Sequence, residues 1–221
     1  MASRCWMAVV LTVLLTEHIL AVDQNRLADI VNGILRQYGT QGMFSLAVTI
    51  PENQNLNINQ VLQQVFQSDP AANVRNKLNN NEVYIGNRVV AAKRYTQSFG
   101  TDHAESRVVD HLSQIFNNST QNDLLFFYVF ASPCVEKCSS STHRQNILGR
   151  IQSIRRWRDW AFVFSVIFRP NNAPENTEEQ RQAALQRLGN SVDLNKIFRC
   201  YGRQCTSCYS NGQVAQYCIS D

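Results

Sequence analysis

Apolar residues recur at three- and four-residue spacing through Leu27, Ile30, Val31, Ile34, Leu35 and Tyr38 and stop at Gly39, which predicts an amphipathic helix with one buried face. Residues 44–50 are continuous, apolar and partly β-branched, and Pro51 closes them, as expected of a strand. An Asn- and Gln-rich stretch follows, where Ile58, Val61, Leu62, Val65 and Phe66 keep the spacing of a short helix. Residues 83–93 read as one or two strands around Gly86-Asn87. From Thr101 the pattern is helical again, with Ala104, Val108, Leu112 and Ile115 on one face and Thr101 or Asp102 placed to cap the start.

Residues 124–130 and 160–168 are short apolar runs of buried-strand length. Between them a helix is expected from Pro133 to about Trp157, burying Ile147, Leu148, Ile151 and Ile154. Thr177 with Gln180 forms a capping-box pattern for a last helix ending at Gly189, and residues 191–198 supply a final short strand. This order predicts an α/β fold with a mixed central sheet of about five strands flanked by helices. A helix between the last two strands provides the crossover that parallel neighbours need.

The chain of 221 residues, 44% of them hydrophobic, is sized for one substantial core rather than two ordinary domains. Its beginning has the layout of a secretory signal: Arg4, an apolar stretch over residues 6–15, then Thr16-Glu17-His18, with cleavage expected near Ala21. That stretch is about half the roughly 20 residues a membrane span needs, so removal is expected over a short amphipathic anchor. The division is a signal over residues 1–21, a main domain over 22–199 and a cysteine-containing tail over 200–221. No later segment has the length and apolarity of a span, so a secreted protein without stable membrane association is expected. Arg4 and Glu17 leave together, which keeps the formal charge at +4. That bias permits an acidic partner such as nucleic acid but lacks the clustered excess of dedicated binders. The sequence points to no protein partner.

Seven cysteines occur, and Cys5 lies in the signal. Cys200, Cys205, Cys208 and Cys218 suit two disulfides in an oxidising compartment, with the pairing open, or in principle a structural zinc site. Asn117-x-Ser119 and Asn118-x-Thr120 are overlapping glycosylation sequons in a polar link. Arg144, Arg150, Arg155, Arg156 and Arg158, with Trp157 and Trp160 beside them, form either a phosphate-gripping surface or the solvated face of a helix whose tryptophans are core. His111 and His143 stand at no ligand spacing and suit solvated or capping roles.

His103-Ala104-Glu105 opens one expected helix, and Pro133-Cys134-Val-Glu-Lys-Cys138 opens another, with residues 106–132 between them. The pair resembles the zinc deaminase signature H-x-E followed by P-C-x-x-C, in which a His and two Cys hold the metal. With Ser132-Pro133-Cys134 included, the resemblance is to AID/APOBEC-like cytidine deaminases, and as topology it covers roughly residues 27–198. The cysteines here are separated by three residues instead of two, a spacing that keeps both on one helix face. Ala131 stands where that branch usually has Trp.

The resemblance implies a cytidine-deaminase-like three-layer fold, Zn2+ held by His103, Cys134 and Cys138, and a proton-shuttling Glu105 that converts cytosine to uracil. Substrates would be single-stranded DNA or RNA, in a setting such as immune defence; the alternatives are free cytidine-type nucleosides, or a catalytically silent binding protein on the same fold. The loop after residue 168 occupies the place where that family contacts flanking bases, which makes Ser132, Phe168 and Arg169 substrate-binding candidates. A helix N-terminus at Cys134 would favour its thiolate. Against the metal stands a Cys134–Cys138 disulfide or pairing with the tail.

Overall fold

A computed structural model describes residues 23–53, 55–98, 100–170 and 173–220; the expected signal segment lies outside the described residues. Helix α1 spans Gln24–Tyr38, capped by the Asp23 side chain at its start and ending before Gly39, as its periodicity predicts. Strand β1 follows at Phe44–Ile50, buried along its whole length. Helix α2, Ile58–Ser68, begins with a reciprocal capping box between Asn57 and Gln60. Helix α3, Ala71–Asn79, is an addition to the expected elements. Its Asn-rich sequence has weak helix propensity, but Ala71, Val74 and Leu78 face the core, so tertiary burial overrides propensity.

Strands β2 (Tyr84–Ile85) and β3 (Val89–Lys93) form a hairpin around a buried carboxylate. Asp69 accepts from Tyr84 Oη and from the backbone N–H groups of Asn87 and Arg88, each at 2.9 Å, and Gly86 is required because a Cβ there would collide with Asp69. The carboxylate thereby satisfies backbone donors that the turn itself leaves unpaired. A small hairpin, β4 (Tyr95–Gln97) with β5 (Gly100–Asp102), leads to helix α4, Ala104–Val109. The single helix expected from Thr101 is broken: α4 ends at Asp110, and a second short helix, α5, runs Leu112–Asn117.

Strand β6 is Leu124–Ala131 and strand β7 is Asp159–Val166, paired in parallel register. No α-helix joins them, contrary to expectation. After Pro133 the chain makes turns and then a 3-10 segment at Arg150–Arg156. The run Ser139-Ser140-Ser141-Thr142 explains the difference, because short hydroxyl side chains compete for backbone groups. Ser139 Oγ donates to Cys134 O at 2.8 Å, and Ser140 Oγ accepts from the N–H of His143 at 3.2 Å. Ile147, Ile151, Ile154 and Trp157 are buried as expected, on an irregular backbone.

Helix α6, Glu178–Val192, starts with the predicted Thr177/Gln180 capping box but runs past Gly189. The glycine is there for close packing, since a Cβ would lie 2.9 Å from Leu194 Cβ. Strand β8, Ile197–Tyr201, lies parallel to β7, which fulfils the crossover expectation. Strand β9, Gln204–Ser207, then adds antiparallel to β8, and a hairpin of β10 (Tyr209–Ser210) with β11 (Gln213–Val214) follows.

Among the described residues the sheet has seven strands, order β2-β3-β1-β6-β7-β8-β9, two more than the five or so expected. Alternate residues of its central strands feed two cores. Phe126, Tyr128 and Val163 meet α1, α2 and α3 on one face, whereas Phe127, Phe162 and Phe164 meet α4, α5, the 3-10 segment and α6 on the other. Burying each such side chain contributes about 1.5–3 kcal/mol, which fixes the strand register and hence the loops at the strand ends. Residues from Cys200 onward continue this architecture: Cys200–Cys205 cross-links β8 to β9, and Cys208–Cys218 closes the terminal segment. The tail cysteines are thus two disulfides rather than a second metal site.

Candidate metal centre

The carboxyl ends of β6 and β7 sit side by side because the strands are parallel, so the loops leaving them converge. Cys134 and Cys138 lie in the loop after β6, and His103 arrives from across the sheet as the residue that caps α4. Cys134 does not open a helix, so the thiolate stabilisation expected from a helix terminus is absent. A tight turn replaces it: the Cys138 N–H donates to Cys134 Sγ at 3.3 Å, Ser139 Oγ and N–H both reach Cys134 O, and the Ile147 N–H holds Cys138 O at 2.9 Å.

The turn brings the ligand atoms together. His103 Nδ1 is 3.5 Å from Cys134 Sγ and 3.3 Å from Cys138 Sγ, and the three ligand atoms lie within 4.8 Å of one another. In a zinc tetrahedron with ordinary Zn–S and Zn–N bonds the S···N edges are about 3.6 Å, so the donor set matches this ion in chemistry and in spacing. The two thiols are free and buried, while the four tail cysteines are paired.

Glu105 occupies the first turn of α4, only 8% exposed, with Oε1 3.9 Å from His103 Nδ1 and a hydrogen-bonding interaction with the Cys138 thiol. Helical spacing alone does not aim it at the cluster; the cap geometry of His103, φ −73° and ψ 145°, turns the imidazole back over the helix start to meet it.

The protonation pattern is that of a site built for a cation. Burial disfavours the His103 imidazolium, but Cys134 and Glu105 outweigh it and raise His103 to about 9. Hydrogen bonding from Cys138, with His103 added and burial opposing, lowers Cys134 to about 5. Its bond to Cys134 and burial raise Cys138. Burial pushes Glu105 up, yet His103 prevails and holds it below the ordinary carboxylate range. The imidazolium offsets part of the negative charge of the Cys134 thiolate and the Glu105 carboxylate, the role that a divalent ion would take over.

His103 forms one wall of a cleft of about 650 Å³ that opens to solvent. Among the described residues its charged side chains are Arg94, Lys137 and Arg169, with no carboxylate in the lining; Phe130 and Phe168 supply aromatic surface, with the Phe168 ring 6.4 Å from that of His103. Of the substrate candidates, Phe168 and Arg169 line this cleft, and Arg169 Nε lies 3.6 Å from Glu175 Oε1. Ser132 is buried and acts as a strut: its N–H donates to Val166 O at 2.8 Å, and its Oγ accepts from the Phe168 N–H at 3.0 Å. Arg94, Phe130 and Lys137 were not among the site candidates of the sequence, and Arg94 in particular directly follows β3, an inner strand with no motif of its own.

The arginine-rich segment is structural for the most part. Arg150 bridges Ser106 and Asp110, Arg155 binds Ser191 O and Asp193, and Arg156 stacks 3.7 Å from the Phe116 ring centre, while Trp157 is core. His143 Nδ1 accepts from the Gln145 N–H, a local capping contact. Asn117 and Asn118 are exposed at the end of α5. Among the described residues no helix is long and apolar enough to cross a membrane.

A family model described as Secreted Novel AID/APOBEC-like Deaminase 1 matches residues 24–221. Neither the curated proteins nor the solved structures give a match.

Proposed function

The chain belongs to the Secreted Novel AID/APOBEC-like Deaminase 1 family, and from that premise we propose that it is a zinc-dependent hydrolytic deaminase that converts cytosine to uracil in single-stranded nucleic acid. The observation that carries this reading is the His103, Cys134, Cys138 cluster with Glu105 against it, its two thiols free while Cys200, Cys205, Cys208 and Cys218 are paired. Three protein ligands leave one tetrahedral position for substrate chemistry. A Zn2+ ion bound there supplies a water-derived nucleophile at neutral pH.

This chain's own residues do the rest. Glu105 is ionised and within reach of the cluster, so it would accept the first proton of the attacking water and pass it to the pyrimidine ring nitrogen, then carry the second, from the added hydroxyl, to the departing amine. Phe168 offers a face against the target base, held at its N–H by Ser132. Water consumed and ammonia released balance the exchange of the exocyclic amine for a carbonyl oxygen.

Polynucleotide is favoured over free nucleoside because the cleft is open and carries Arg94 and Lys137 beside the aromatic surface of Phe130 and Phe168, an arrangement that suits a phosphate backbone with stacked bases. A catalytically silent binding protein is the competing reading. The deciding experiment is metal analysis of the mature protein together with a uracil and ammonia assay on cytosine-bearing oligonucleotides and on cytidine. Stoichiometric zinc with uracil formed in the oligonucleotide supports the proposal. Zinc without turnover on either substrate favours the silent reading, and turnover of cytidine alone favours the nucleoside.

A further inference from the structure

A second and larger cleft, of about 1190 Å³, lies at the opposite end of the sheet. Asn122, just before β6, and Trp160, near the start of β7, place it at the amino ends of the strands whose carboxyl ends carry the metal cluster. The eight residues of β6 put about 25 Å between the two ends.

The polar groups of this cleft are of an unusual kind. Four of its side chains are amides, Asn122, Gln186, Asn190 and Asn195. Gln186 Nε2 donates to Asn190 Oδ1 at 3.3 Å, whereas Asn122 and Asn195 bond no side-chain atom among the described residues. The carboxylates are largely taken up: Asp159 by Lys196 at 2.6 Å and Asp193 by Arg155 at 3.1 Å. Glu52 and Arg158 oppose each other in sign, so the cleft has no net field to hold a polyanion. Two aromatics frame it. Trp160 is fixed by its Nε1 donating to Val192 O at 2.8 Å, and Tyr209 is 48% exposed on the β10–β11 hairpin, directly after the disulfide-bonded Cys208.

We propose that this cleft binds a neutral oligosaccharide, a site separate from the metal cluster and independent of the deaminase reading. Each sugar hydroxyl is both donor and acceptor, and a planar amide presents both at a fixed spacing, which charged side chains do not. The C–H faces of a pyranose carry slight positive charge and pack on the electron-rich face of an aromatic ring, here the pre-fixed and exposed Tyr209. The volume accommodates several sugar units rather than one. Two sources share this chemistry. Asn118 stands four residues before Asn122, so a glycan on the protein's own sequons starts at this end of the molecule, and a foreign glycan would present the same groups.

The test uses the mature protein secreted from a eukaryotic host, before and after N-glycosidase treatment. Saturation-transfer NMR and calorimetry would be run with chitotetraose and mannotetraose as neutral probes and a heparin tetrasaccharide as the anionic control. Saturable binding of a neutral probe in both arms assigns a foreign ligand. Binding only after glycan removal assigns the protein's own glycan as occupant. In either case Tyr209→Ala, or Asn195→Ala as a second exposed-site variant, weakens binding about tenfold. Absence of saturable neutral binding in both arms, preference for heparin, or indifference to both substitutions overturns the proposal.

Discussion

The two clefts stand at opposite ends of the same parallel strands, β6 and β7, and differ in charge balance and in the polar groups they present. The smaller, at the carboxyl ends, gathers cations, aromatics and a buried ligand cluster; the larger, at the amino ends, gathers amides and paired charges. Size is therefore a poor guide to where the potential metal-ligating residues gather. Topology is a better one, because parallel strands deliver successive loops to one edge, where distant residues meet. The amino ends receive instead the end of α6 and the disulfide-closed hairpin, elements whose positions are fixed by packing and leave polar side chains uncommitted.

The most severe way to break this comparison is Glu105→Gln. Uracil formation should fall by roughly 10²–10⁴-fold with zinc stoichiometry unchanged, as measured by single-turnover assay and metal analysis. A variant that keeps full activity would move the chemistry away from the carboxyl-end cleft. Opening the other end comes next. Replacing Cys208 and Cys218 by Ala frees a loop with a sequence separation of 10 and should cost about 3 kcal/mol of stability in a denaturant titration, while zinc content stays intact. Loss of zinc in that variant would show that the two ends are coupled.

Arg94→Ala with Lys137→Ala tests the charge asymmetry. Oligonucleotide affinity should drop and the salt slope should lessen by about 0.7 per lost phosphate contact, with cytidine turnover little changed. A pH titration of metal-free protein probes the cluster itself. Because His103 is raised to about 9, its contribution is complete below its ordinary value of 6.5 and is lost as pH rises through about 9. Cys134, lowered to about 5, contributes fully above its ordinary value of 9.0 and loses that contribution as pH falls through about 5. Thermal stability of the metal-free protein should thus peak between these limits, and zinc should abolish the alkaline decline. The smallest effect is expected of Arg155→Ala, at most about 1 kcal/mol of stability and no change in oligonucleotide affinity, since this arginine is committed to Ser191 O and Asp193.

Where burial imposes a period, the sequence disclosed the element. Leu27 to Tyr38, the run ending at Pro51, and the Thr177/Gln180 box were legible because each local signal agrees with the packing. The segment after Pro133 was not, because its isoleucines keep helical spacing while the serines before them bond the backbone otherwise. Gly189 misled for a related reason: a helix stop and a close helix contact call for the same residue. At the site, the gathering of His103, Cys134 and Cys138 was foreshadowed by a motif, whereas Arg94, Phe130 and Lys137 became cleft residues only through strand order and loop convergence.

One further consequence belongs to the cell rather than to the active site. The six cysteines beyond the expected signal travel through an oxidising pathway, yet Cys134 and Cys138 finish as free thiols with exposures of 3% and 0%. Thiol exchange needs access to a thiolate, so once the sheet and its covering helices close over these two they are shielded from pairing with Cys200, Cys205, Cys208 and Cys218. Burial is thus a timing device: a folding delay that leaves Cys134 reachable by an oxidase should yield product with scrambled disulfides, visible on non-reducing electrophoresis.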